Sequence, residues 1–135
     1  MRGIADTGFL VALANRTDEH HEWATQLAAQ FSEPLLTCEP VLAETAFLVG
    51  DVRIALGMLE DGLIVLAFES RDHLTPLGAL AERYADRHPD LADLCVIRMS
   101  ELYPTHSVIR TDRDDFQVYR RNKREVIPTV LPPET

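Results

Sequence analysis

The stretch Gly3-Ile4-Ala5-Asp6-Thr7-Gly8, running directly into Phe9-Leu10-Val11-Ala12-Leu13, decides how the chain is read. A short apolar run meets one carboxylate, then a threonine and a glycine, and an apolar segment with helical spacing follows. A buried β-strand has no use for an aspartate at its carboxyl end unless something there requires the charge. In open α/β sheets that end faces the crevice where ligands bind, and Gly8 lets the backbone turn sharply toward whatever Asp6 holds. Asp6 is equally suited to N-cap the next helix. Further carboxylates downstream, each in a similar place, weigh toward the ligand.

Outward from this stretch, strands and helices alternate. A first strand over Met1 to Asp6 is followed by a short helix over Gly8 to Ala14, a turn at Asn15-Arg16-Thr17-Asp18, and an amphipathic helix to about Phe31. Trp23, Leu27 and Phe31 repeat in that helix at core spacing. Leu35-Leu36-Thr37-Cys38 forms a second strand, and Pro40 sits well in the first turn of the helix after it. Gly50-Asp51 separates this from a helix over Val52 to Glu60. Leu63 to Phe68 is a near-continuous apolar run, the pattern of a parallel strand covered on both faces. Helices ending near Tyr84 and spanning Leu91 to Leu102 precede a fourth strand over Thr105 to Arg110. Val126-Ile127 with Val130-Leu131 predicts one last strand, kept at an edge by Pro128, Pro132 and Pro133. The expected fold class is α/β: three layers, α/β/α, around a mostly parallel sheet of four to five strands.

The 135 residues suffice for one domain over 1–135 with a single core. No apolar stretch approaches the roughly 20 residues of a membrane span, and no signal-peptide pattern opens the chain, so the cytoplasm is the expected location. Cys38 and Cys95 sit among apolar neighbours and read as buried thiols. The five histidines are scattered or, at His20-His21, lie in a polar helix start, and none has zinc-ligand spacing.

A formal net charge of −9 argues against binding nucleic acid by bulk electrostatics. The basic residues are nevertheless unevenly placed. Arg110, Arg113, Arg120, Arg121, Lys123 and Arg124 make six of the thirteen within one segment, and Lys123 is the only lysine. Arginine suits planar, bidentate contact with phosphate, although taken by itself such a run is better accounted for as a solvated helix face.

In the expected fold, Asp6 ends the first strand and Glu44 lies early in the helix after the second. Asp90 and Asp93 share a face at the start of the helix before the fourth strand, and Asp112, with Asp114 and Asp115, follows that strand. A parallel sheet gathers such positions at one edge. Without a cation they repel, and some take up protons. An all-oxygen set free of His and Cys suits Mg²⁺ or Mn²⁺.

Four segments in order carry a resemblance: Ile4-Ala5-Asp6-Thr7-Gly8, Pro40-Val41-Leu42-Ala43-Glu44, Asp90-Leu91-Ala92-Asp93, and Asp112-Arg113-Asp114-Asp115-Phe116 followed by Val118-Tyr119-Arg120. Over nearly its whole length the chain resembles the PIN-domain family, in particular its VapC-type toxin branch. The resemblance implies a Mg²⁺- or Mn²⁺-dependent endoribonuclease with acidic ligands at Asp6, Glu44, Asp93 and Asp112 and with Asp90 as their neighbour. Thr7 then holds a metal-bound water or Asp6, and the arginines at 110, 113, 120, 121 and 124 grip RNA. A small antitoxin protein and a homodimer are the implied partners. Two departures stand out. Leu94 replaces a small residue after the third acid, and Arg110 replaces the usual Ser or Thr two places before the fourth. The latter leaves Asp114 or Asp115 open as alternatives to Asp112.

Two other classes share single features. Asp-Thr-Gly is the aspartic-protease tripeptide, but that reading needs two such loops in an all-β setting. A phospho-receiver needs a lysine after a late strand, and Lys123 has no expected strand before it. A PIN-like binding module without cleavage, or an RNA-processing protein, uses the same site and is the reading that remains beside the nuclease.

Overall fold

The computed structural model describes residues 1–113 and 115–134, with the backbone alone for Asp115. Five short strands form one parallel sheet: β1 (Gly3–Ala5), β2 (Leu35–Thr37), β3 (Ile64–Leu66), β4 (Ser107–Ile109) and, after a separate hairpin, β7 (Thr129–Val130), in the order β3-β2-β1-β4-β7. Ile4 pairs with Leu36 on one side and Val108 on the other, and Val108 pairs in turn with Thr129. The chain therefore winds outward from β1 to β3, then returns to lay β4 on the opposite side of β1. That reversal opens a crevice at the carboxyl ends of β1 and β4.

Helices supply the crossovers that parallel strands require. Between β1 and β2 lie α1 (Thr7–Ala14) and α2 (His21–Ala28). Between β2 and β3 lie α3 (Glu39–Val49) and α4 (Val52–Glu60), and between β3 and β4 lie α5 (Leu74–Arg83) and α6 (Leu91–Leu102). Gly50, in the left-handed region at φ 82°, ends α3 and is the residue best able to do so. α6 is buried on most of its surface through Ala92, Leu94, Cys95, Val96, Ile97, Met99 and Ser100. It packs on β1, β4, α3 and α5. Ile4, Phe9, Leu10, Val41, Ile97, Val108 and Ile109 are fully enclosed. Cys38 and Cys95 are free and buried, as expected. Among the described residues no helix is long and apolar enough to cross a membrane.

The structure departs from expectation in three places. The Leu63 to Phe68 run, expected to be covered on both faces, gives only Ile64–Leu66 as an edge strand with Val65 and Leu66 exposed. The second helix stops at Ala28 rather than Phe31; two tight turns, Gln30 N–H to Leu27 O and Phe31 N–H to Ala28 O, carry the chain onward. The expected last strand is divided. Glu125–Val126 forms β6, antiparallel to β5 (Arg120–Arg121), while only Thr129–Val130 joins the main sheet. Pro128 lies between, and with no N–H to donate it serves instead as acceptor, its carbonyl taking the Val108 N–H at 2.8 Å. The β5–β6 turn places Asn122 (φ 47°) and Lys123 (φ 70°) in the left-handed region, which Asn tolerates better than most residues.

Candidate functional site

Asp6 stands where β1 passes into α1. Its N–H is bound to Ile109 O at 3.1 Å, which ties it to β4, and its Oδ1 accepts the Thr7 N–H at 2.8 Å as the N-cap of α1. The capping role and the site role therefore coincide in one side chain. The other oxygen, Oδ2, is paired with the Arg110 guanidinium, and both residues are buried. Thr7 Oγ1 is buried beside them and has no hydrogen-bond partner among the described residues. Gly8 is favoured for a steric reason: a Cβ there would fall onto the Thr111 hydroxyl, so with threonine at 111 the start of α1 approaches the segment after β4 most closely with a glycine.

Asp90 and Asp93 form a reciprocal capping box at the start of α6. Asp90 Oδ1 accepts the Asp93 N–H at 2.8 Å, and Asp93 Oδ2 accepts the Asp90 N–H at 3.3 Å. Glu44 projects from the middle of α3, and Asp112 follows β4. These carboxylates share a cleft of about 340 Å³ with Asp6, Thr7, Arg110 and Thr111. Asp6, Glu44, Asp90, Asp93 and Asp112 are thus brought together, in the crevice that the strand order creates.

Their proximity is electrostatically visible. Burial pushes the Asp6 carboxyl above its ordinary range, Arg110 and the Thr7 N–H oppose this, and Glu44 and Asp90 add to it. Asp93 is pushed up to about 7, first by burial and then by the charge of Asp90. Among the described residues, however, no group of three His, Cys, Asp or Glu side chains is assembled closely enough to ligate a metal as it stands. The donors are nevertheless of the right kind. They are all oxygens, two have a raised proton affinity, and Thr7, whose buried hydroxyl has no partner among the described residues, lines the same cleft, a set that fits a hard divalent cation.

The arginines expected to form one RNA grip are dispersed. Arg110 turns inward to Asp6, with its guanidinium carbon 3.8 Å from the Phe116 ring centroid. Arg121 is buried as well: it donates to Ser100 O at 2.9 Å and Pro104 O at 3.3 Å at the end of α6, and to Glu125 at 3.1 Å. Arg113 is bound to Pro132 O and lies 3.6 Å from Glu134. Arg120 donates to Gln117 O at 2.7 Å, and Arg124 is exposed in the hairpin turn. Asp114 and the side chain of Asp115, the alternatives for the fourth acid, lie outside the described residues. Asp18, read from sequence as a turn residue, also lines the cleft. Its only sequence signal is a carboxylate placed just after the helix that Asp6 caps.

A family model for the PIN domain matches residues 4–122. The chain belongs to the PIN-domain family. Among solved structures, this PIN domain is similar to the crystal structure of Mycobacterium tuberculosis VapC20, a Sarcin-Ricin loop cleaving toxin. The TM-score is 0.62 at 22% identity, covering 82% of this chain and 90% of that one. At that identity the likeness is one of fold. No curated protein sequence matches the chain. The family match spans all four acidic segments up to β5 and stops short of β6 and β7.

Proposed function

We propose that the protein is a divalent-metal-dependent endoribonuclease of the VapC toxin type, cleaving RNA phosphodiester bonds by hydrolysis. The observation that carries this reading is the convergence of Asp6, Glu44, Asp93 and Asp112 on one cleft at the reversal point of the sheet, beside the orphaned Thr7 hydroxyl. Those four would hold Mg²⁺ or Mn²⁺, with Asp90 fixing Asp93 through the capping box and Thr7 Oγ1 holding a water. When bound, such an ion makes water a competent nucleophile near neutral pH and offsets charge on the phosphate and leaving oxygen. Asp115 remains a candidate for a supporting role. Of the basic residues, Arg113, Arg120 and Arg124 are proposed to contact the RNA backbone, since Arg110 and Arg121 are buried.

The similarity of fold to VapC20 supports the toxin assignment and makes a sarcin–ricin loop oligonucleotide a rational first substrate. A small antitoxin and a second copy of the chain are the proposed partners. The apolar surface around the α3–α4 turn supports a protein partner: Phe47 is 82% exposed, and Leu48, Val52 and Leu56 are each more than half exposed. Such a cluster of large apolar side chains suits a protein interface better than water. A cytoplasmic location is proposed with this function.

The alternative, a PIN-like binding module that does not cleave, draws support from Arg110, which already neutralises Asp6. Purified protein incubated with structured RNAs, the sarcin–ricin loop among them, separates the two. Cleavage in Mn²⁺ that is abolished by EDTA and by Asp93→Asn is the expected result. RNA retained intact but bound would establish the binding module instead.

A further inference from the structure

Arg110 is built into the cleft as no surface arginine would be. Its backbone is fixed on both sides, since Ile109 pairs with Ala5 in β1 and the Arg110 N–H donates to Val130 O at 3.0 Å. Its side chain is enclosed, stacked on Phe116 at 3.8 Å, with Nε 3.4 Å from Asp112 O and Nη1 paired with Asp6 Oδ2. Asp6 Oδ1 is meanwhile engaged by the Thr7 N–H. Both oxygens of the first acid are therefore occupied, one of them by a fixed positive charge.

We propose that Arg110 is the resident counter-ion of the acidic cleft, competing with a divalent cation for the Asp6 carboxylate and thereby setting the cation affinity of the site. The inference rests on the reading of the cleft as a cation site. A carboxylate this buried needs a positive partner to remain ionised. Arg110 supplies one in the cation-free protein and must yield Asp6 Oδ2 when a cation takes that oxygen. The energy of the arginine–aspartate pair and of the Phe116 stack then opposes cation binding. Asp93 lines the same cleft as this guanidinium. Arg110 is a positioning residue that acts through Asp6, and a residue that merely stabilised the fold would leave the opposite signature: its loss would loosen the site and weaken the cation.

Calorimetric titration of Mn²⁺ into the full chain without RNA tests this. Arg110→Gln is expected to bind Mn²⁺ about tenfold more tightly than wild type. Arg110→Lys, which keeps the charge, should stay within about threefold of wild type. Phe116→Leu, which releases the guanidinium from its stack, should tighten binding by about two- to threefold. Should Arg110→Gln fail to fold, Phe116→Leu carries the decision. Wild-type binding with unchanged or weaker affinity in folded Arg110→Gln, or in Phe116→Leu where Arg110→Gln does not fold, overturns the counter-ion role and leaves the cation site standing. No Mn²⁺ binding by wild type or any variant overturns both.

Discussion

Asp93 carries the residue-scale consequence of crowding carboxylates. Its carboxyl is pushed up to about 7 from an ordinary 3.8, by burial and then by Asp90. A carboxyl whose folded pKa is raised stabilises the fold in its protonated form. That contribution is complete below the unfolded-state value and is lost as pH rises through about 7. The metal-free protein should accordingly melt at higher temperature as the buffer falls from about pH 8 to about pH 5. Asp6, raised in the same direction, keeps part of this slope in Asp93→Asn, which should be visibly flatter while retaining the cap on α6. With Mn²⁺ present the trend should weaken or reverse, because protons then compete for the ligating oxygens. Thermal melts across pH, with and without metal, read all three curves. A slope identical in wild type and Asp93→Asn would remove Asp93 from the set of titrating acids.

At the scale of elements, two contacts hold the site in shape. The first is the meeting of α1 with the end of β4, where Gly8 faces the Thr111 hydroxyl. Gly8→Ala should cost about 1–3 kcal/mol through overpacking and weaken Mn²⁺ binding, because Thr111 carries Asp112 next to it. Gly8→Ala combined with Thr111→Ala should recover most of both losses, since the displaced atom is the hydroxyl itself. A double variant no better than Gly8→Ala would place the strain in the backbone. The second contact is the β5–β6 hairpin, whose two charged arms differ in role. Arg121 docks the hairpin on the end of α6 through Ser100 O and Pro104 O, where a cation also complements the helix dipole. Arg121→Gln should destabilise by about 2 kcal/mol through loss of its charge-assisted bonds to these carbonyls. Arg124→Gln should leave the melting temperature unchanged and lower the salt slope of RNA binding by about 0.7 if it meets a phosphate. Chemical denaturation and binding titrations at several salt concentrations separate the two. An Arg121→Gln protein of full stability would mean the hairpin is held by something other than its guanidinium.

At the scale of the whole molecule, a cation bound only by the folded state must stabilise the entire domain. At a hundredfold excess over the dissociation constant the linkage amounts to about 2.7 kcal/mol, a rise in Tm of several degrees for a chain of this length. Mn²⁺ should produce that rise, NaCl at matched ionic strength should not, and Asp6→Asn should abolish it. Asp6→Asn should also melt lower than wild type by itself, because it leaves the buried Arg110 guanidinium without its carboxylate. A Mn²⁺ shift undiminished in Asp6→Asn would detach the cation from the strand-end site.

What the sequence alone determined was local and periodic. The helical spacing after Gly8, the apolar strand runs, and the carboxylates at Asp6, Glu44, Asp90, Asp93 and Asp112 were legible because each depends on neighbours within a few residues. The dual use of Asp6 was also half visible, its cap being a local bond to Thr7. Tertiary structure decided the rest. The strand order β3-β2-β1-β4-β7 set which acids meet, since β4 returns to the side of β1 away from β2. It also turned Arg110 onto Asp6, a pairing across 104 positions, and sent Arg121 into the end of α6. The basic segment reads as a uniform charged run because a side chain's direction in a strand or hairpin depends on register with elements distant in sequence. Asp18 reached the cleft for the same reason: α1 carries the chain past the site before the turn. The cut of the last strand at Pro128 is a contest between local patterning and the hydrogen-bond demands of β4, and only the assembled sheet supplies the second term.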